Sequence, residues 1–205
     1  MTRRLPLLLL IAYLVLFALL AINPYDRTVW FAENLPIVLI VMALVLSRRW
    51  YAFSNTAYLM IAFLIFLHTV GGHYTFERVP FDWFTDLFGF SRNHYDRMAH
   101  FTVGFYAYPL TEILLRKRLV ASRFVLFFFP VCFILAVAGA YEIFEWLYAV
   151  SADPSAGSAV LGSQGDVWDA QKDMLADSLG SLAAIALFAA IHRRKISRMA
   201  PPGVK

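Results

Sequence analysis

Several stretches of this chain set carboxylates and imidazoles at helical spacing. Asp96 and His100 are four apart, Glu142 and Glu145 three apart, and Asp166, Asp169, Asp173 and Asp177 follow at intervals of three, four and four. Residues three or four apart share one face of an α-helix, so each set predicts a stripe. Carboxylates with neutral imidazoles are oxygen and nitrogen ligands for a divalent ion. The same groups can act as general acid and base. Asp96, His100, Glu142, Glu145, Asp169 and Asp173 are the candidate catalytic set, with His100, Glu142 and Asp173 as the ligands of a divalent metal ion. Other chemistries lack their residues. The single cysteine, Cys132, excludes a cysteine zinc site and an intrachain disulfide. No nucleophile elbow, phosphate-binding glycine loop or zinc-protease helix occurs.

Apolar blocks must position these residues. Of 205 residues 60% are hydrophobic and 17% aromatic, with mean hydropathy +0.64. The excess falls in runs long enough to cross a hydrocarbon core of about 30 Å. The expectation is an all-α polytopic membrane protein, one membrane domain over 1–205, with six transmembrane helices near 5–22, 35–46, 56–70, 98–115, 123–147 and 172–191. The second is short and can begin earlier, running through Pro36. The basic start followed by Leu5–Leu10 resembles a signal peptide, but without a convincing cleavage site it is read as a retained span.

Charge sets the orientation. Arg3, Arg4, Arg48, Arg49, Arg116, Lys117, Arg118, Arg123, Arg193, Arg194, Lys195 and Arg198 fall in one set of loops, which carries no Asp or Glu. Asp26, Glu33, Glu77, Asp82, Asp86, Asp96, Asp153, Asp166 and Asp169 fall in the other. Basic loops stay in the cytoplasm, so both termini are expected there and the acidic face outside. This distribution also turns the net charge of +4 away from nucleic acid and toward a bilayer. The long outer loop 71–97 is aromatic and charged, and is expected to lie among lipid headgroups or over the helix ends.

Local explanations compete for some of these residues. Asp166 and Asp169 can cap the sixth helix, Asp96 can pair with Arg92 or Arg97, and His73 and His94 suit a loop. Glu112 is expected to pair with Arg116 one turn on, outside the site.

The runs Gly72-His73-Tyr74-Thr75, Ser91 to Arg97 with His100-Phe101, Tyr141 to Trp146, and Leu161 to Met174 resemble the YjdF-like family of predicted bacterial inner-membrane proteins. The likeness covers about His68 to Gly180; it implies a multi-pass protein of the inner membrane and no particular reaction. In that family the position of Asp177 is often apolar, which sets Asp177 outside the expected site. A weaker likeness is to VanZ-like membrane proteins, through Asp96/His100, Glu142/Glu145 and Asp173 before Gly180, with departures at Glu145 and Asp177. It implies cell-envelope chemistry.

Three functions follow as expectations. One is an extracytoplasmic, metal-assisted site acting on a lipid headgroup or envelope precursor. Another is an ion-coupled transporter using the same carboxylates. The third is a non-catalytic protein whose polar cluster locks its helices. A carrier needs polar groups along a path and helices broken near the midplane. Here the inner halves of the spans are almost purely apolar; Gly104 and Pro109 could break the fourth, but no matching pair appears elsewhere.

Overall fold

The computed structural model describes residues 4–151 and 163–199, which form helices and no strand. Arg3, Asp153 and the Leu161-Gly162 start of the last family-like run lie outside them. The helices are α1 (Arg4–Leu20), α2 (Arg27–Ser47), α3 (Asn55–Tyr74), α4 (Asp82–Phe88), α5 (Tyr95–Val103), α6 (Ala107–Arg116), α7 (Arg123–Ser151) and α8 (Asp169–Ser197). Four of them, α2, α3, α7 and α8, are long and apolar enough to cross a membrane. Helix α1 is apolar but shorter, about 25 Å at ~1.5 Å per residue. Many large apolar side chains stay exposed, among them Leu8, Leu19, Leu39, Phe128 and Phe144. Large apolar side chains exposed along helices of membrane-crossing length suit lipid rather than water.

The chain divides into two compact units, Met1–Ala99 and His100–Lys205. In the first, α3 packs against both α1 and α2. Its buried stripe is Ala57, Tyr58, Ile61, Leu64, Ile65 and Thr69, spaced at helical intervals. Helix α2 is capped by Asp26, whose carboxylate accepts from the Thr28 and Val29 amides, so the helix starts well before Leu35. Glu33, expected in a loop, is therefore inside it. Helix α3 likewise runs past Val70, and Gly71–Tyr74 form its last turn rather than the start of a loop. Thr75 ends it in a left-handed conformation (φ 58°).

The aromatic segment after α3 folds back over the end of that helix. Val79, Phe81 and Tyr95 are buried together against Leu67, Val70, Tyr74 and Met98. Asn93 pins the segment by donating to the Glu77 and Val79 carbonyls at 3.1 and 2.8 Å. Trp83, Leu87 and Phe88 on α4 remain exposed. One side of the segment is thus core and the other an apolar rim.

In the second unit, α8 packs along α7 and α6 and against the link between α5 and α6. That link, Gly104–Tyr106, is a single 3-10 turn. Tyr95 to Arg116 therefore runs as one helical rod of about 33 Å with a tightened middle. It falls where the fourth span was expected.

Candidate functional site

The site begins with a backbone contact. A β-carbon on Gly104 would lie 2.5 Å from the Gly180 carbonyl carbon and would overlap the Asp177 oxygen and the Ser181 amide. A β-carbon on Gly180 would overlap the Phe101 carbonyl. The two helices therefore touch at their main chains, which glycine alone permits. Around the crossing α8 buries Asp169, Asp173, Asp177, Gly180, Ser181 and Ala184, all on one face.

His100 stands one turn before Gly104 and meets that face. Its Nδ1 lies 3.3 and 3.4 Å from the two carboxylate oxygens of Asp177. Its Nε2 lies 3.8 Å from Asp173 Oδ1. The Asp177 side chain has no exposed surface, Asp173 has 5% and His100 17%. Asp177 is acceptor-only when ionised, so its approach selects the tautomer with hydrogen on Nδ1. The lone pair of Nε2 then faces Asp173. A separation of 3.8 Å is too long for a hydrogen bond. It fits two ligand atoms of one divalent ion, each about 2.0–2.3 Å from the metal.

The other expected residues occupy definite places. Asp96 is in the first turn of α5, one helical turn before His100 and on the same face by spacing. Asp169 is buried in the first turn of α8. Glu142 and Glu145 are half-buried near the end of α7, the helix packed along α8. Asp166 lies outside the helix: it accepts from the Trp168 amide and pairs with Lys172 at 2.7 Å. The N-cap is Trp168 with no side-chain capping bond, so Asp166 and Asp169 do not cap the helix as expected, and the stripe continues from Asp169. Glu112, 1% exposed, pairs with Arg116 at 2.6 Å as expected.

Asp177 is the residue that reading the sequence by resemblance left out. Its spacing, four beyond Asp173, carried the signal. Burial on the same stripe and contact with His100 make it part of the cluster.

A second polar pair sits in the first unit. Glu33 Oε2 and the Glu33 carbonyl are each 3.1 Å from His68 Nε2, joining α2 to α3. Beside it Gly72 lets α3 approach: a β-carbon there would be 3.0 Å from Asn34 Nδ2 and from Glu33 Cβ. His73 belongs to the last turn of α3, and its Nδ1 donates to the Leu20 carbonyl at 2.8 Å. Nearby, the Tyr95 hydroxyl donates to the Leu67 carbonyl at 2.9 Å.

Apolar helices of membrane-crossing length, lipid-ready surfaces and buried ionisable groups define an integral membrane protein with several spans. Residues 5–194 match the family described as "Predicted membrane protein (DUF2238)". The chain is also 35% identical to the inner membrane protein YjdF of Escherichia coli (strain K12), over 97% of each chain. The chain belongs to this family of inner-membrane proteins. No solved structure matches it significantly.

Proposed function

We propose that this protein carries a one-sided, membrane-embedded site centred on His100, Asp173 and Asp177, which holds a divalent ion and acts on a lipid headgroup or another cell-envelope intermediate. The observation that supports it is His100 held between two buried carboxylates, with Nδ1 engaged by Asp177 and Nε2 turned to Asp173. In metal sites a carboxylate behind the histidine fixes the ring and raises its basicity. Asp177 fits that backing role, and His100 with Asp173 the ligand role. Asp96, Asp169, Glu142 and Glu145 are the further carboxylates from which ligands or a general base would come.

The polar part of α8 ends at Asp177 and Ser181, and Leu182 to Ile191 is apolar. That favours a site open to one side over a path through the membrane. With α1, α2, α3, the rod from Tyr95 to Arg116, α7 and α8 as six spans, the arginine and lysine clusters lie on one side. By that bias both termini are cytoplasmic and the site faces out.

The test is metal content and chelator response of the purified protein. Chelator should lower its melting temperature near neutral pH, because an ion bound only to the folded state stabilises it. The shift should shrink as pH falls, since the ligands must be deprotonated. Asp173→Asn, alone or with Glu142→Gln, should abolish the response. Asp177→Asn should keep the site but weaken metal affinity about 10–100-fold. Wild-type protein with no metal and no chelator response would refute the metal-dependent reading.

The Glu33–His68 contact favours a second reading, in which such pairs only bind helices together. Stability separates the two. With the ion removed by chelator, neutralising a locking pair should destabilise by about 1–3 kcal/mol, whereas neutralising crowded, metal-free site carboxylates should cost little or stabilise.

A further inference from the structure

A crevice of about 250 Å³ opens between the basic ends of α7 and α8, lined by Arg123, Phe127, Ala189, Arg193, Ile196 and Ser197. Arg123 and Phe127 are one turn apart on α7; Ala189, Arg193 and Ser197 follow at single turns on α8, with Ile196 beside them. Two exposed arginines thus stand over an apolar floor of Phe127, Ala189 and buried Ile196. Arg123 is held in place: its Nη2 donates to the Ser197 and Met199 carbonyls at 2.8 and 3.2 Å. Both bonds leave from one nitrogen, so among the described residues the other guanidinium donors are open to a ligand.

We propose that this crevice binds an anionic phospholipid, with the phosphodiester between Arg123 and Arg193 and an acyl chain against Phe127, Ala189 and Ile196. The charge complementarity is specific. Arg116, Lys117, Arg118, Arg194, Lys195 and Arg198 surround the crevice in sequence, and no acidic residue interrupts them beyond Glu112, which is already paired with Arg116. A guanidinium fork matches two phosphate oxygens. Basic pockets between transmembrane helices are where anionic headgroups bind. The apolar floor distinguishes a lipid from a free phosphate, because the latter gains nothing from Phe127 or Ile196. This site is independent of the His100 cluster.

The experiment titrates the full-length protein, in discs of phosphatidylcholine, with phosphatidylglycerol, and reads bound lipid by native mass spectrometry. Saturable binding of phosphatidylglycerol is expected. Arg193→Gln should weaken it about five-fold, and Arg123→Gln with Arg193→Gln about thirty-fold, from the attraction of one basic residue each. Arg194→Gln, at the same helix end but off the crevice, should stay within about two-fold. Arg123 also caps α8, so the Arg193→Gln result stands alone if the double variant misfolds. Equal losses for Arg194→Gln and Arg193→Gln would overturn the proposal in favour of a diffuse basic belt. Equal binding of phosphatidylcholine would also overturn it. So would displacement by glycerol 3-phosphate at matching concentration, which would mark a site for soluble phosphates.

Discussion

Gly104 and Gly180 meet main chain to main chain: a β-carbon on Gly180 would lie 3.3 Å from Gly104 Cα and inside the Phe101 carbonyl. His100 precedes one partner by a turn and Asp177 precedes the other by three residues. The crossing therefore sets the distance between imidazole and carboxylate. A side chain at either glycine would push both groups apart.

Gly180→Ala and Gly104→Ala should each destabilise the protein by about 1–3 kcal/mol or more, as overpacking against backbone does. Gly139→Ala is the control. Among the described residues its β-carbon would meet nothing nearer than Met174 Sδ at 3.8 Å, and alanine favours a helix by up to about 1 kcal/mol over glycine. Thermal unfolding in detergent should lower the first two midpoints and leave the third unchanged or raised. A tolerated Gly180→Ala would contradict the close crossing.

Removing Arg116 should cost more than removing Glu112. The Glu112 carboxylate is buried and the Arg116 guanidinium largely exposed. Arg116→Gln removes the charged partner of a buried carboxylate, a loss of about 1–3 kcal/mol. Glu112→Gln keeps the shape, can still accept a hydrogen bond, and should cost less. Denaturation of both single variants and the pair measures the difference, and equal costs would argue against it.

Glu33 and His68 should be coupled. A double-mutant cycle with Glu33→Gln and His68→Gln should return an interaction of about 0.5–2 kcal/mol. Additive effects would mean that the 3.1 Å approach carries no net energy. A cysteine at Glu33 should also label slowly with a water-soluble maleimide compared with one at Asp26, because 33 lies in α2 and 26 before it.

Reporter fusions that fluoresce only in the cytoplasm should be bright at Arg49, Lys117 and after the last residue, and dark at Asp86. A bright signal at Asp86 would reverse both the orientation and the exposed side of the His100 cluster.

Much of this was legible in the chain. Apolar blocks located the helices because bilayer thickness sets their length. The spacing of Asp166, Asp169, Asp173 and Asp177 predicted one stripe; α8 starts after Asp166 and buries the other three on one face. Helix starts were harder to read. Polar residues such as Glu33 look like loop until a cap upstream, here Asp26, extends the helix past them. His100 and Asp173 were expected in one ligand set and lie 3.8 Å apart, but the contact of His100 with Asp177 was not legible, because helical spacing orders residues along one helix and does not say which of them a facing side chain reaches. The glycines held that information, but close approach shows only once two backbones are placed together. Judging Asp177 by resemblance removed a residue that its own spacing retained.

The His100–Asp177 contact spans 77 positions of sequence, and this constrains how the protein is made. Synthesis runs from the N-terminus, so the rod carrying His100 and Gly104 emerges long before α8. When α8 emerges, three aspartates near its start oppose its transfer into lipid, each by up to ~2.5–3.5 kcal/mol at full depth. A glycine-faced groove with an imidazole beside it gives those carboxylates somewhere to go that is not lipid. Biogenesis of the last helix thus leans on an earlier one as a receiving template, and a chain with a blocked groove should stall at insertion and be cleared by quality-control proteases rather than accumulate as an inactive protein.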